Sequence, residues 1–378
     1  MARQVNSNNG SQRVILDAMP DMWLLGAVLC LAGLSLVMVM SASGIMAERY
    51  FDDKYHFMRK HVLFMFTGLC LLVATWKMPR IIWYKLTYFF LFAAVLLLVV
   101  TDFTSFGGTA GGATRWIRLG PFSLQPLEPV KVALVFYLAY FFAGRQHLVR
   151  TFSVGFLPPV LVTGILAGLL LLQPDFGGAV FLCTLLFVLC FVGGTRIVFL
   201  GVSFVLAAGA AVQLVISSPY RVKRLLAFLD PFKDAQDTGY QLVQSLYALG
   251  NGHWFGVGLG ASRQKLLFLP DAHNDFILAV LGEELGFVGV SAVFLLIGVI
   301  LWRTLAIALQ QRDLRDRLVA TGMGMIVILG GLVNAAVVLG AAPPKGIPMP
   351  FLSYGGSHLL TCFFCVGILL NLSSREGR

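Results

Sequence analysis

The sequence predicts an all-α integral membrane protein of about ten transmembrane helices, and three observations support this fold class. Of the 378 residues, 58% are hydrophobic and only 12% are charged, whereas a soluble domain carries about 25% charged residues. The 40 glycines also fit, because glycine is commoner in membrane helices than in soluble ones. Finally, the apolar residues form ten separate runs, several of them short of the roughly 20 residues that a membrane span needs.

The ten runs define one membrane domain, predicted over residues 22–372. A polar segment, residues 1–21, precedes it and is predicted to be a disordered cytoplasmic tail, and residues 373–378 form a second cytoplasmic tail. The first run is too long for the apolar core of a signal peptide, and no clear cleavage site follows it, so we expect it to be retained. The runs are 23–43, 61–76, 82–101, 127–143, 155–172, 177–192, 197–217, 276–301, 318–339 and 358–370.

Four long connections are predicted to lie on one face of the membrane: 43–60, 102–126, 218–274 and 340–357. The 28 basic residues divide evenly between the two faces, but without the longest loop the short-link face holds 14 and the long-loop face eight. The positive-inside rule then places both termini in the cytoplasm and the long loops outside. The basic residues are dispersed among the loops, which argues against nucleic-acid binding, while those on the outer face suit an anionic substrate.

The six cysteines all lie within apolar runs. Cys362 and Cys365 form a C-x-x-C, but no second pair accompanies them. A buried thiol behaves as a small apolar group. The cysteine pattern therefore predicts buried thiols and implies no disulfide framework.

Charged residues in and near the second long loop are the first candidates for function. Arg115 can bind phosphate through its guanidinium fork, and Trp116 suits the headgroup level; the alternative is an ordinary interfacial anchor. Glu128 and Lys131 share one helix face at the mouth of the fourth span. An ionisable pair within a membrane indicates function by default, and a structural ion pair is the equal alternative.

The next candidates lie in the turn 173–177 and the long loop 218–274. Gln173 and Asp175 occupy the turn, where Asp175 could cap the following helix. Arg221 begins a group of three cations within four residues, which indicates lipid phosphate or, alternatively, a solvated charge run. Apolar residues at helical spacing in 239–249 predict an amphipathic helix lying on the membrane.

The segment 269–276 and the last long loop complete the candidates. Asp275 stands at the start of the eighth span, where it or Asn274 could cap the helix. Alternatively, Asp275 could act as a general base on a headgroup hydroxyl. Glu283 and Glu284 follow within the apolar span. The last loop, stiffened by four prolines, presents Lys345 and small hydroxyl residues as a rigid shelf for an anion or, alternatively, forms a re-entrant structural turn.

Four motifs in order resemble the SEDS family of bacterial shape, elongation, division and sporulation proteins, over roughly Trp23 to Leu370. Within the family, the run 264–273, Pro344-Lys345-Gly346 and Ser41-Ala42-Ser43 are more similar to the division members than to the elongation members. Asn274, Leu127, Pro129, Gly178 and His358 depart from the usual pattern. The four motifs are Thr114-Arg115-Trp116-Ile117, Gln173-Pro174-Asp175-Phe176-Gly177, His273-Asn274-Asp275-Phe276 with Gly282-Glu283-Glu284-Leu285-Gly286, and Phe351-Leu352-Ser353-Tyr354-Gly355-Gly356-Ser357.

The resemblance implies a peptidoglycan glycosyltransferase of the bacterial inner membrane that polymerises lipid II at the division septum and releases undecaprenyl pyrophosphate. It implies that Asp275 is the catalytic aspartate and that Mg²⁺ or Mn²⁺ assists, through ligands that the sequence does not identify. It also implies a class B penicillin-binding protein, the division transpeptidase FtsI, as partner, with FtsQ, FtsL and FtsB as regulators.

The residues fit such a reaction, and three other functions stay open. Asp275 would take the proton of the attacking sugar hydroxyl, and the cationic residues would stabilise the pyrophosphate leaving group. The alternatives are a lipid II flippase, an elongation polymerase and a non-catalytic division scaffold. A transporter usually carries polar residues at the bilayer midplane, whereas here they cluster at one face. The substrate-binding candidates are Arg115, Trp116, Lys131, Arg221, Lys345 and Ser353, and the supporting candidates are Glu128, Gln173, Asp175, His273, Glu283 and Glu284.

Overall fold

The computed structural model describes residues 20–104, 107–110, 113–119, 122–266, 269–270 and 272–374. Of the two predicted tails, 1–21 and 373–378, it therefore describes only residues 20, 21, 373 and 374. Part of the second long loop and Asp271, the carboxylate that precedes Asp275 in sequence, also lie outside the described residues.

Helices dominate the described part of the chain, and ten of them are apolar helices that match the ten predicted runs. Eight are long and apolar enough to cross a membrane, with α6 counted together with the π-helical turn before it, and α4 and α7 are shorter apolar helices. The predicted fold class is therefore confirmed. In chain order the helices are α1 Met22–Phe51, α2 His56–Lys77, α3 Arg80–Lys85, α4 Thr87–Phe103, α5 Leu127–Gly144, α6 Leu157–Leu172, α7 Phe176–Val192, α8 Ile197–Ile216, α9 Pro219–Leu229, α10 Tyr240–Asn251, α11 Ile277–Gln310, α12 Leu314–Val338 and α13 Gly356–Ser373. A 3₁₀ turn, Gln146–Leu148, and a π-helical turn, Phe152–Phe156, precede α6.

A small antiparallel sheet between α4 and α5 was not predicted. It consists of β1 Gly107–Ala110, β2 Ala113–Leu119 and β3 Phe122–Leu124, in the order β1-β2-β3. Gly108 pairs with Trp116, and Ile117 pairs with Leu124. The β-branched and aromatic residues Thr114, Trp116 and Ile117 of β2 favour a strand. The glycines that surround this segment are typical of a loop.

The helices differ greatly in burial, which shows where the centre of the bundle lies. Most residues of α5, α12 and α13 are buried. In α8, by contrast, Leu200 is the one buried residue. In a bilayer the apolar surface of α8 faces lipid, so α8 stands at the edge of the bundle. The buried helices α5, α12 and α13 form its centre.

Helix α11 is broken at Gly286, whose φ of 67° and ψ of −162° lie outside the helical region. A loop fills the break. The N–H groups of Val257 and Gly258 donate to the carbonyls of Glu283 and Glu284 at 2.9 and 3.1 Å, and the two amides after Gly286 donate to carbonyls of the same loop. Unpaired backbone groups are costly inside a membrane, so this pairing allows the helix to bend there.

The predicted amphipathic helix is present as α10, but its apolar face packs against protein. Leu242, Val243 and Ala248 are buried against α11 and α12. The hydroxyl of Ser245 donates to the carbonyl of Val338 in α12 at 2.8 Å. The helix therefore covers the ends of two spans with the face that was predicted to rest on lipid.

Candidate active site at the loop end of the bundle

Asp275 lies in the turn that precedes α11, and its side chain is half-buried. The helix starts one residue later: its N-cap is Phe276, where no side chain makes a capping hydrogen bond. The sequence allowed Asn274 or Asp275 to be the capping residue. Neither residue occupies the N-cap position.

Three successive carbonyls hold the turn around Asp275 in place. The amide of Tyr354 donates to the carbonyl of His273 at 3.0 Å, and the hydroxyl of Ser353 donates to that of Asn274 at 2.6 Å. Asn334 of α12 donates through Nδ2 to the carbonyl of Asp275 at 2.7 Å. A backbone fixed at three points restricts where the Asp275 carboxylate can lie.

The imidazole of His273 belongs to an aromatic group below this turn. Its ring centroid lies 4.8 Å from that of Phe57 and 5.6 Å from that of Tyr354. Burial raises the pKa of Tyr354, so its phenol stays neutral. His273 therefore joins α2 to the last loop as a packing residue.

Three cations predicted to bind substrate converge around the start of α7, and we call Arg115, Arg221 and Lys345 the cationic cluster. Arg115 Nη2 donates to the carbonyl of Pro174 at 2.8 Å and lies 3.9 Å from Asp175 Oδ1. Asp175 itself is the N-cap of α7 and accepts a hydrogen bond from the amide of Gly178 at 3.0 Å. Asp175 therefore caps the helix and also faces the cluster.

Phe176 connects the other two cations of the cluster. Lys345 Nζ lies 5.7 Å from the centroid of its ring, and the Arg221 guanidinium lies 5.8 Å from it, within the range of cation–π attraction. Burial lowers the pKa of Lys345, and the nearby Asp175 carboxylate opposes that shift. The incomplete solvation of this ammonium group favours an anionic ligand.

Lys345 also links the cationic cluster to Asp275. A methyl group placed on the next residue, Gly346, would lie 3.3 Å from Asp275 Oδ2. A methyl group on Gly177 would lie 3.5 Å from Lys345 Cδ. The Lys345 side chain therefore runs along the start of α7, while the adjacent backbone borders the Asp275 carboxylate.

The structure places Lys131 elsewhere, inside the bundle. Its Nζ lies 2.8 Å from Glu128 Oε1 and 4.9 Å from the centroid of the Phe181 ring. Both charged side chains are only 3% exposed, and His358 Nδ1 approaches the same Glu128 oxygen at 3.2 Å. Of the two interpretations of this pair, the geometry favours the structural ion pair.

The two glutamates of α11 are also engaged within the protein. Lys265 Nζ donates to Glu284 Oε1 at 2.8 Å, and Ser41 of α1 donates to both oxygens of that carboxylate. The carboxylate of Glu283 accepts hydrogen bonds from the hydroxyl of Ser262 and from the amides of Arg263 and Gln264. These contacts attach the loop that fills the break in α11.

The remaining predicted residues make local contacts. Gln173 is buried, and its Nε2 donates to the carbonyl of Leu98 at 3.3 Å, which joins α6 to α4. Ser353 uses its hydroxyl within the protein, since it also accepts from the amide of Met349 at 2.8 Å. Trp116 lies half-buried on β2. No group of three His, Cys, Asp or Glu side chains able to hold a metal ion occurs in the described ranges.

Sequence reasoning did not single out Asn334, Lys265 or His358 as site residues. Asn334 is 1% exposed, Lys265 7% and His358 3%, so each is a buried polar group. A lone amide in the apolar run 318–339 was a usable signal, because polar groups in spans are costly. Lys265 lies in a loop, where only the structure reveals its pairing with Glu284.

These features define a class: a polytopic membrane protein with a fixed carboxylate and a cationic cluster at one end of its helix bundle. A family model described as cell cycle protein, covering FtsW, RodA and SpoVE, matches residues 22–377. The chain belongs to this family, and the SEDS resemblance is confirmed.

Relatives of similar length support the division branch. The chain is 43% identical over 354 residues to a probable peptidoglycan glycosyltransferase FtsW of Trichlorobacter lovleyi, covering 94% of this chain and 93% of the relative. It is 43% identical over 363 residues to the protein of the same name in Halorhodospira halophila, covering 95% and 91%.

Solved structures share the fold. A chain from work on the structural coordination of polymerization and crosslinking by a peptidoglycan synthase complex aligns with a TM-score of 0.75 and 29% identity, covering 94% of this chain and 97% of that one. The rod-shape-determining protein RodA of Thermus thermophilus aligns with a TM-score of 0.70 and 28% identity, covering 94% and 96%.

Proposed function

We infer that this chain is a peptidoglycan glycosyltransferase that polymerises lipid II into glycan strands and releases undecaprenyl pyrophosphate. The observation that carries this is the Asp275 carboxylate, on a backbone fixed at three carbonyls and bordered by the residue after Lys345. A general base and a cationic group for the leaving phosphate are thereby neighbours. The names of the FtsW relatives support the same activity.

The proposed reaction is a direct displacement at the anomeric carbon of the donor sugar. Asp275 accepts the proton of the acceptor hydroxyl as its oxygen forms the new glycosidic bond. The bond from the anomeric carbon to the pyrophosphate oxygen breaks, and that oxygen keeps the electron pair. Direct displacement inverts the configuration of the anomeric carbon.

The leaving pyrophosphate carries negative charge that the cationic cluster can stabilise. Arg115, Arg221 and Lys345 lie around the start of α7. Positive groups stabilise developing negative charge most effectively when they are already in position before the reaction. Lys131, which is paired with Glu128 and buried, supports the mouth of α5 instead. We propose that five further residues hold the structure around the site in place: Gln173, His273, Ser353, Glu283 and Glu284. We propose a headgroup contact for Trp116.

A divalent cation fits this site only together with substrate, because the described residues gather no three ligating side chains. Mg²⁺ commonly binds through one or two carboxylates plus substrate phosphates. When bound, Mg²⁺ or Mn²⁺ would neutralise pyrophosphate charge beside the cationic cluster. The steps proposed here for Asp275 and the cluster do not depend on it.

The chain is a multi-pass membrane protein, and we propose that it works with a class B penicillin-binding protein. The solved chain from a peptidoglycan synthase complex supports such a partner. The division branch adds the finer proposals: the partner is FtsI, the regulators are FtsQ, FtsL and FtsB, and the location is the division septum. The loop end of the bundle would face outward, where the glycan strand is built.

Two experiments test this function. Purified protein, lipid II and the partner transpeptidase should yield glycan polymer on a gel, and no polymer under any partner condition would contradict the activity. For the facing of the loops, a Gly250→Cys variant should react with an impermeant maleimide in intact cells. Gly250 is exposed with open space around its Cα, whereas a side chain on Gly252 would collide with the carbonyl of Gly282.

A further inference from the structure

An apolar slot runs between α6, α7 and α8, with a volume of about 310 Å³. It exists because α8 stands away from the bundle and faces α7 with alanines, among them Ala207, Ala208 and Ala211. Among the fourteen described residues that line the slot, Thr184 is the one with a hydroxyl. That hydroxyl donates to the carbonyl of Val180 at 2.9 Å, so the slot offers apolar surface to its occupant.

One end of the slot meets the cationic cluster. Phe176 and Leu214 both line the slot. The ring of Phe176 carries Lys345 and Arg221 at 5.7 and 5.8 Å from its centroid. Arg221 Nη1 also donates to the carbonyl of Leu214 at 2.8 Å. A molecule lying in the slot would therefore present its head to the two cations.

Charge complementarity indicates what kind of head belongs there. Arg115, Arg221 and Lys345 supply three positive charges at this end, and Asp175, which caps α7, supplies one negative charge. The excess of positive charge favours an anionic head. A pyrophosphate diester brings two charged phosphates to these cations, whereas an ordinary phospholipid brings one.

We propose that this slot, the α7–α8 slot, binds the phosphate-proximal isoprenoid units of the polyprenyl chain, with its pyrophosphate on the cationic cluster. The inference rests on the proposed function and adds to it a binding site for the lipid part of the substrate. Alanine walls leave room for the methyl branches of an isoprenoid chain. The reacting sugar, attached to the same pyrophosphate, would then lie on the Asp275 side of Lys345.

Photo-crosslinking maps the site directly. The full-length purified protein in phosphatidylcholine nanodiscs is illuminated with a polyprenyl pyrophosphate that carries a diazirine on an isoprenoid unit near the head. Crosslinked peptides should come from the helices that line the slot, above all α7 and α8. Crosslinks confined to other helices, or competition by phosphatidylglycerol as effective as that by unlabelled polyprenyl pyrophosphate, would overturn the proposal.

A matched pair of variants tests the slot by affinity. Ala211 lines the slot, whereas its neighbour Val212 is 58% exposed and does not line it. Ala211→Trp should weaken polyprenyl pyrophosphate binding about tenfold, because removing even two methylene groups from apolar contact costs about that much. Val212→Trp should bind normally, and equal binding by both variants would contradict the proposal.

Binding and polymerisation can fail separately. If the probe labels α7 and α8 but the protein makes no polymer with its partner, the slot is supported and the proposed activity is contradicted. If the protein makes polymer while the probe labels only other helices, the activity stands and the slot assignment is wrong.

Discussion

Asn334 donates one amide hydrogen bond to the carbonyl of Asp275 at 2.7 Å and a second to the carbonyl of Ile347 at 2.9 Å. Its side chain, buried within α12, thereby ties the turn that carries the candidate base to the loop that carries Lys345. The two halves of the proposed site approach each other through this residue. Their separation therefore depends on a buried residue that lies outside the proposed contacts with substrate.

Replacing Asn334 with alanine should reduce polymerisation by more than the accompanying loss of folded protein would. Asn334→Ala leaves two buried carbonyls without their amide donor, which costs about 1–3 kcal/mol for each group left unsatisfied, and it frees the Asp275 turn. Ser245→Ala removes a comparable buried hydrogen bond to α12, at Val338, away from the site. Melting temperature and polymer yield should both fall for Asn334→Ala, and Ser245→Ala should lose only stability. Equal activity losses would contradict the positioning role.

Lys345 should govern the affinity for anionic substrate and its dependence on pH. Charge-assisted hydrogen bonds contribute about 1.5–3 kcal/mol, so Lys345→Ala should weaken polyprenyl pyrophosphate binding by roughly tenfold to a hundredfold. Lys233→Ala is the control, because Lys233 is exposed and lies outside the cationic cluster.

The direction of the pH effect follows from the environment of Lys345. Burial lowers its pKa below the ordinary 10.5, so the charged form that binds phosphate is present at low pH and is lost as pH rises through that lowered pKa. Binding should therefore weaken at a pH below 10.5. Lys345→Arg should bind to higher pH, since arginine stays charged. A pH profile unchanged by Lys345→Arg would show that another group is responsible.

Gly286 should be essential for the bend in α11. Its φ is 67°, and a Cβ there would lie 2.4 Å from the amide nitrogen of Gly256. Gly286→Ala should therefore displace the loop that supplies Lys265 to Glu284 and should lower the yield of folded protein. Gly298→Ala, in the same helix with open space around it, is the matched control. Size-exclusion profiles and melting temperatures measure both variants, and a stable Gly286→Ala protein would argue against this role.

The length of the apolar runs was sufficient to predict the ten spans, because every helix that crosses lipid needs an apolar segment long enough to cross its hydrocarbon core. The break at Gly286 could not be predicted in the same way. It depends on backbone pairing with a loop about 30 residues earlier, and a glycine in an apolar run is ordinary. The pairing of Lys265 with Glu284 depends on the same long-range contact.

The candidate site was predictable in composition but not in arrangement. Sequence alone singled out Arg115, Arg221 and Lys345, since cations in loops predicted to face outward suit phosphate, and the structure gathers them around α7. It could not distinguish Lys131 from them. A lysine near the mouth of a span can reach the surface or pair with a group inside the bundle. Lys131 does the second, because Glu128 lies within hydrogen-bonding distance.

Polymerisation of lipid II by Asp275→Asn, with the partner transpeptidase present, tests the central claim most directly. The amide keeps the shape of the side chain but cannot accept the proton, and a general base contributes roughly 10²–10⁴-fold in rate. We predict a folded, partner-binding variant that makes no detectable polymer, while Asp271→Asn retains substantial activity. Polymerisation by Asp275→Asn at close to the normal rate would contradict the mechanism.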